Sequence, residues 1–236
     1  MTKKISVLLV DDHAVVRTGY KTLLSLSERI GDIYETERGE EACQLYSRLQ
    51  PDVVVMDLSM PGLGGLESIR RLISRHLNCK ILVFSIHNEL VYVTRAIKAG
   101  AKGYITKNNA PDILVTAVCL IAEGGTFVEP AIAQQLAVSA GAGWGELDRI
   151  KSLSPREFDI FRLLATGMTS REVADSLCLS YKTVCNHATS VKEKLGVRTL
   201  SELALMANRH GIIENADAYS VKVSPTTPDI ETELPN

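Results

Sequence analysis

The stretch Val53-Val54-Val55-Met56-Asp57 is a short, continuous apolar run that ends in a carboxylate. A run of this length is typical of a strand buried on both faces of a parallel sheet. An earlier run, residues 5–10, has the same form and ends in Asp11-Asp12. Open α/β sheets bind ligands at the carboxyl ends of their strands, so these carboxylates predict a site for a hard cation and a phosphoryl group.

Strand-like and helix-like runs alternate through residues 5–123 and predict an α/β domain with a doubly wound, five-stranded parallel sheet. The predicted strands are 5–10, 30–34, 53–56, 81–84 and 103–105, and the predicted helices are 15–26, 40–49, 66–76, 90–99 and 112–123. This first domain is assigned to residues 1–124, because Gly124-Gly125 ends its last helix.

The rest of the chain divides into three parts. Residues 125–150 form an interdomain linker with a short helix that starts at Pro130, and residues 151–213 form a small all-α domain of four helices. Residues 214–236 form an acidic tail that we expect to be disordered.

Helix-capping signals define the all-α domain. Ser154, Thr169 and Thr199 each precede a Glu by three residues, which is the pattern of a capping box. Ser180 can cap a further helix, and Gly196 can end it.

Bulk composition limits the classes of protein that fit. The 236 residues carry a formal net charge of −2, with nine Lys and Arg against six Asp and Glu in residues 150–213 and one against five in the tail. The mildly basic second domain is compatible with nucleic-acid binding. The five cysteines have no CxxC or CxxH spacing, and the first apolar run is too short for a signal peptide or membrane span, so we expect a cytoplasmic protein without membrane association.

Five residues of the right chemistry follow four of the predicted strands. Asp11-Asp12, Asp57, Ser85 and Lys107 would share one edge of a parallel sheet. The carboxylates could hold Mg²⁺, one of them could act as a nucleophile, and the hydroxyl and ammonium could bind phosphoryl oxygens. Any single Asp could instead cap a helix, but the complete set favours a phosphoryl site.

Residues 4–124 resemble a response-regulator receiver domain through Asp11, Asp12, Asp57, Met60-Pro61, Gly65, Ser85, Tyr104 and Lys107. The resemblance implies a flavodoxin-like fold with Asp57 as the phospho-acceptor, supplied by a sensor histidine kinase. It also implies that Mg²⁺ is bound by Asp11, Asp12, Asp57 and the backbone carbonyl of Ser59. It also implies that Lys107 pairs with the phosphoryl group, and that Ser85 and Tyr104 form the switch. Phosphatases with an aspartyl nucleophile carry a DxD pattern after the first strand, and this chain does not.

Residues 171–195 predict two helices joined tightly around Ser180. Val184, Ala188, Val191 and Leu195 recur at helical spacing as a buried stripe, and Lys182, Asn186, Thr189, Ser190 and Glu193 lie on the opposite face. Such a face suits base edges in the major groove, with Lys192 and Lys194 on phosphates. From periodicity alone, an ordinary amphipathic surface helix is the better interpretation.

Residues 153–213 resemble a LuxR-type output domain through the segments 153–157, 167–174, 180–184 and 194–197 and through His187. The resemblance implies a helix-turn-helix at about 171–190. The residues it assigns to DNA binding are Lys182, Thr183, Asn186, His187, Thr189, Ser190, Lys192 and Lys194. Cys185 stands where the family usually has Lys, and the missing cation removes a phosphate or base contact and lowers the expected salt dependence of binding. Together the two halves resemble a NarL/FixJ-type response regulator.

The leading hypothesis is a transcription factor in which phosphorylation releases a recognition helix that the receiver covers or misplaces, and favours a homodimer on DNA. The alternative is a phosphorylation-independent DNA-binding or adaptor protein. An enzyme is not expected, since residues after 150 carry no GxSxG or P-loop pattern and no metal-ligand cluster.

Overall fold

A computed structural model describes residues 3–139 and 145–213. The tail 214–236 and most of the glycine-rich link therefore lie outside the described residues. The strands are β1 (Ile5–Val10), β2 (Ile30–Thr36), β3 (Val53–Met56), β4 (Ile81–Ser85), β5 (Gly103–Thr106) and β6 (Phe127–Val128). The helices up to residue 139 are α1 (Ala14–Ser25), α2 (Gly39–Leu49), α3 (Gly65–Arg75), α4 (Leu90–Lys98), α5 (Ala110–Ala122) and α6 (Pro130–Ser139), of which α6 lies in the segment assigned to the linker.

The strands form one parallel sheet in the order β2-β1-β3-β4-β5-β6. Successive strand side chains point to opposite faces, and both faces are buried. Val7, Leu9 and Val55 pack towards α1 and α5, whereas Leu8 and Val54 pack on the face that carries α2, α3 and α4. The predicted doubly wound sheet is confirmed.

The predicted number of five strands is wrong, because β6 adds a sixth strand at the edge. Phe127 and Val128 pair with Gly103 and Tyr104, and two residues are too few to show a strand pattern in the sequence. Gly103 permits this pairing, since a Cβ there would lie 2.6 Å from the carbonyl oxygen of Phe127.

The second domain contains α7 (Glu146–Ser152), α8 (Pro155–Ala165), α9 (Ser170–Ser176), α10 (Tyr181–Leu195) and α11 (Leu200–Arg209). The last four are the four predicted helices, and α7 begins within the segment assigned to the linker. No helix among the described residues is long and apolar enough to cross a membrane.

The predicted caps are present with one difference. Ser154 and Thr169 form complete capping boxes, and Ser180 accepts the N–H of Thr183. Thr199 accepts the N–H of Glu202, but the carboxylate of Glu202 accepts the N–H of Arg198 and so leaves this box incomplete.

Candidate functional site

The carboxyl edge of the sheet brings the predicted phosphoryl-site residues together. Lys107 directly follows β5, and its Nζ donates to Asp11 Oδ2 at 2.7 Å and to Asp57 Oδ2 at 2.9 Å. Asp57 is 1% exposed, and its other oxygen accepts the N–H of Ser59 at 3.3 Å. A buried carboxylate needs such partners, so Lys107 balances the charge of Asp57 in this state.

Burial raises the pKa of Asp57 above its usual value, and the Lys107 ammonium offsets only part of this effect. Burial alone would lower the pKa of Lys107, but the charges and hydrogen bonds of Asp57 and Asp11 outweigh it and raise the pKa. Each group therefore favours the charged form of the other, as expected for two opposite charges close together in a buried site.

The donor set fits a hard cation. One side-chain ligand atom from each of Asp11, Asp12, His13 and Asp57 can be chosen so that all lie within 4.8 Å of one another. Asp12 Oδ1 is buried and accepts no hydrogen bond, although His13 Nδ1 lies 3.0 Å away. Carboxylate oxygens are the ligands that Mg²⁺ prefers. His13 was not predicted in this cluster, although it directly follows Asp11-Asp12.

The predicted switch pair is joined through a residue that the sequence did not single out, His87. Ser85 Oγ accepts the N–H of His87 at 3.3 Å, and the Tyr104 hydroxyl donates to the His87 carbonyl at 2.8 Å. Tyr104 is completely buried, and burial raises the pKa of its hydroxyl. The His87 ring also contacts Ser59 Oγ at 3.0 Å. His87 therefore connects the loops after β3 and β4 with Tyr104 in β5.

The two domains pack against each other along a surface that we call the domain seam. The His87 ring stacks on Tyr92 of α4 with centroids 3.9 Å apart, and Tyr92 meets Phe158 of α8 edge-on at 5.2 Å. Arg95 of α4 lies 4.2 Å from the centroid of the same Phe158 ring. Further seam hydrogen bonds join Arg95 to the carbonyls of Ile150 and Ser154, Tyr92 to the carbonyl of Ile212, and Gly62 to Ser176 and Arg156.

Helix α10 has the predicted buried stripe, with Val184, Val191 and Leu195 fully buried and Ala188 packed against the same core. Of the predicted DNA-contacting residues, Lys182, Asn186 and Thr189 are exposed, and Thr183, His187 and Lys192 are half-buried. The domain seam leaves these exposed residues uncovered. In this structure the receiver does not cover the exposed residues of α10, because the seam uses α7, α8, the end of α9 and the residues after α11. The other form of the expectation, that the receiver misplaces the recognition helix, stays a prediction.

Two predicted DNA contacts are engaged within the second domain. Ser190 Oγ donates to Glu157 at 2.8 Å, and Lys194 Nζ donates to both carboxylate oxygens of Glu157 at 2.8 and 2.7 Å. Burial raises the pKa of Glu157, but the bonds from Lys194, Ser154 and Ser190 outweigh it and lower the pKa to about 2. The sequence did not predict this contact, because Glu157 and Lys194 lie 37 residues apart and meet only when α8 packs on α10.

Comparisons with known proteins agree with this architecture. Residues 7–119 match the response regulator receiver domain, and residues 151–207 match the luxR family of bacterial regulatory proteins. The chain is 38% identical over 212 residues to the response regulator GacA of Pseudomonas aeruginosa. The alignment covers 90% of this chain and 99% of the relative. It is 34% identical over 208 residues to the nitrate/nitrite response regulator NarL of Escherichia coli K12, covering 88% and 96%.

A solved structure of RcsB from Salmonella enterica serovar Typhimurium, bound to a promoter in the presence of phosphomimetic BeF3-, is also similar. Its TM-score is 0.65 at 26% identity, and the match covers 88% of this chain and 100% of that one.

Proposed function

Since the chain belongs to the two-component response regulators of the NarL/FixJ type, we propose that phosphorylation of Asp57 controls its binding to DNA. The donor would be a phosphohistidine of a sensor histidine kinase. The observation that carries the proposal is the Lys107 ammonium held between the carboxylates of Asp11 and Asp57 at the edge of the sheet.

In the proposed transfer, a carboxylate oxygen of Asp57 attacks the phosphorus, a P–O bond forms, and the P–N bond to the donor imidazole breaks. Lys107 would exchange its contact with Asp57 for one with a phosphoryl oxygen, and the Ser85 hydroxyl would bind another. Asp11, Asp12, Asp57 and the Ser59 carbonyl would hold Mg²⁺. When bound, this ion would neutralise charge on the incoming group.

The output proposed is sequence-specific binding to double-stranded DNA. The helix-turn-helix at about 171–190 would place α10 in the major groove, with Lys182, Thr183, Asn186, His187 and Thr189 towards the DNA and Lys192 at a phosphate. Ser190 and Lys194 would reach DNA only by giving up Glu157. We also propose a homodimer in the phosphorylated or DNA-bound form, and a cytoplasmic location, where the DNA would be accessible.

The test combines phosphate incorporation with DNA binding. The full-length wild type and Asp57→Asn are each measured with and without a small phosphodonor and Mg²⁺, by mass spectrometry, fluorescence anisotropy and light scattering. We expect the donor to raise DNA affinity and dimer content in the wild type but not in Asp57→Asn. Asp32→Asn is a matched control, because Asp32 is an exposed carboxylate on β2.

Equal DNA affinity and oligomeric state in all four conditions would refute the switch. Failure of the wild type to incorporate phosphate would favour the phosphorylation-independent alternative.

A further inference from the structure

A buried carboxylate outside the predicted site contacts the strand that carries Lys107. Glu129 lies between β6 and α6, and it is 6% exposed. Its Oε2 accepts the N–H of Thr106 at 3.0 Å and the Thr106 hydroxyl at 2.8 Å, and its Oε1 accepts from the Asn109 side chain. Burying a carboxylate is costly unless it is hydrogen-bonded, so these bonds tie Glu129 firmly to the loop after β5.

The bonded residues lie on both sides of Lys107. Thr106 is the last residue of β5. Glu129 holds its side chain, and the next residue along the chain, Lys107, reaches Asp11 and Asp57. Asn109, two residues after Lys107, is held by the same carboxylate.

The main chain of Glu129 connects the same strand to the interdomain segment. Its N–H donates to the Tyr104 carbonyl at 3.1 Å, and its carbonyl accepts the N–H of Ala133 at 2.9 Å in the first turn of α6. One residue thus contacts Tyr104, Thr106 and the helix that leads out of the receiver.

We propose that Glu129 is a positioning residue for phosphoryl binding: it fixes the Thr106–Asn109 loop so that Lys107 Nζ can meet a phosphoryl group on Asp57. The inference rests on the proposed function of Asp57. A displacement of Lys107 that follows phosphorylation would also pull on Glu129 and hence on α6, because Glu129 is bonded to both.

Beryllofluoride binding to the full-length protein tests this role, since beryllofluoride with Mg²⁺ mimics a phosphoryl group on the aspartate. The half-saturating beryllofluoride concentration, the Mg²⁺ dissociation constant and the thermal midpoint are measured for wild type and Glu129→Gln. We expect the beryllofluoride concentration to rise about tenfold, the effect of losing roughly one charge-assisted hydrogen bond. The Mg²⁺ constant should stay near that of the wild type, because the proposed metal ligands follow β1 and β3 whereas Glu129 is bonded to the loop after β5.

Glu67→Gln is the matched control: Glu67 is a similarly buried carboxylate of the receiver, 7% exposed, but its side chain bonds to Arg70 and Arg71 of its own helix α3. It should change neither affinity. Thr106→Val removes one donor without changing the side-chain shape, and about a threefold rise is expected there. This variant tests the inference independently if Glu129→Gln fails to fold.

Unchanged beryllofluoride binding in the folded variants would overturn the positioning role. Equal weakening of Mg²⁺ and beryllofluoride binding would also overturn it, since that pattern indicates general loosening of the receiver. A wild type that takes up no beryllofluoride would refute the proposed function of Asp57 itself, and the inference with it.

Discussion

Arg95 offers the sharpest test of the domain seam. It is 6% exposed on α4, and its guanidinium donates to the carbonyls of Ile150 at 3.0 Å and Ser154 at 2.9 Å. Burial lowers the pKa of Arg95 to about 10, so the side chain remains charged at neutral pH. Arg95→Met keeps most of the buried aliphatic length and removes the charge and the donors.

The free energy of domain packing that Arg95→Met removes can be worked out from these contacts. Each bond from a charged donor contributes about 1.5 kcal/mol or more, and the cation over the Phe158 ring adds about 1 kcal/mol. Hydration of the guanidinium in the open form offsets part of this sum. We expect a net loss of about 2 kcal/mol, which is about a thirtyfold fall in the ratio of packed to separated domains.

Amide hydrogen exchange at Gly62 measures that ratio, because its N–H donates across the domain seam to the Ser176 carbonyl at 3.3 Å. NMR should show exchange at Gly62 about thirtyfold faster in Arg95→Met, by the same free-energy conversion. Lys98→Met is the control, since Lys98 is exposed near the end of the same helix. Equal Gly62 protection in wild type and Arg95→Met would refute the reasoning.

Three further substitutions test the site and the second domain. Gly65→Ala should destabilise the receiver by about 3 kcal/mol in chemical denaturation, because a Cβ there would lie 2.2 Å from the Asp57 backbone oxygen; wild-type stability would contradict this close approach. Burial raises the pKa of Asp159 to about 6, so its contribution to stability is present below about pH 4 and is lost as the pH rises through about 6. Asp159→Asn should therefore stabilise the folded protein by about 1 kcal/mol near pH 8, a value discounted because the side chain is partly exposed. No gain in stability is expected near pH 4, and equal gains at both pH values would refute the raised pKa of Asp159. Glu157→Gln should cost about 2 kcal/mol at neutral pH, and the difference from wild type should shrink as the pH falls from 4.5 through about 2; a pH-independent cost would contradict the ion pair with Lys194.

The sequence predicted the sheet and the phosphoryl site because both depend on local pattern plus one topological rule. Apolar runs locate the strands, and a parallel sheet brings their carboxyl ends together, so Asp11, Asp57 and Lys107 had to meet. The roles proposed for these residues stay predictions. Strand β6 was not predicted, because a strand of two residues shows no periodic pattern in the sequence.

The domain seam could not be predicted in the same way, because it joins residues far apart in sequence with no shared pattern. One signal was present: Arg95 follows Val91 by four residues and so lies on the buried stripe of α4. A cation on an apolar stripe indicates a buried partner, but not that the partner is a carbonyl of another domain. Glu157 similarly looked like a simple cap residue, and its contacts with Ser190 and Lys194 depend on how α8 packs on α10.

The position of the domain seam limits how phosphorylation could act on DNA binding. Because Lys182, Asn186 and Thr189 are already exposed, separating the domains would do little to make α10 more accessible to DNA. Separation would instead free α4 and α8 and let two output domains adopt the spacing that a pair of half-sites requires. The contacts from Tyr104 through His87 to Tyr92 provide a short physical connection for this release, since the Tyr104 hydroxyl donates to the His87 carbonyl, the His87 ring stacks on Tyr92, and Tyr92 lies in the seam. We therefore expect a change at Ser85 or Tyr104 to alter the packing of Tyr92 in the domain seam and to leave the exposed residues of α10 as they are.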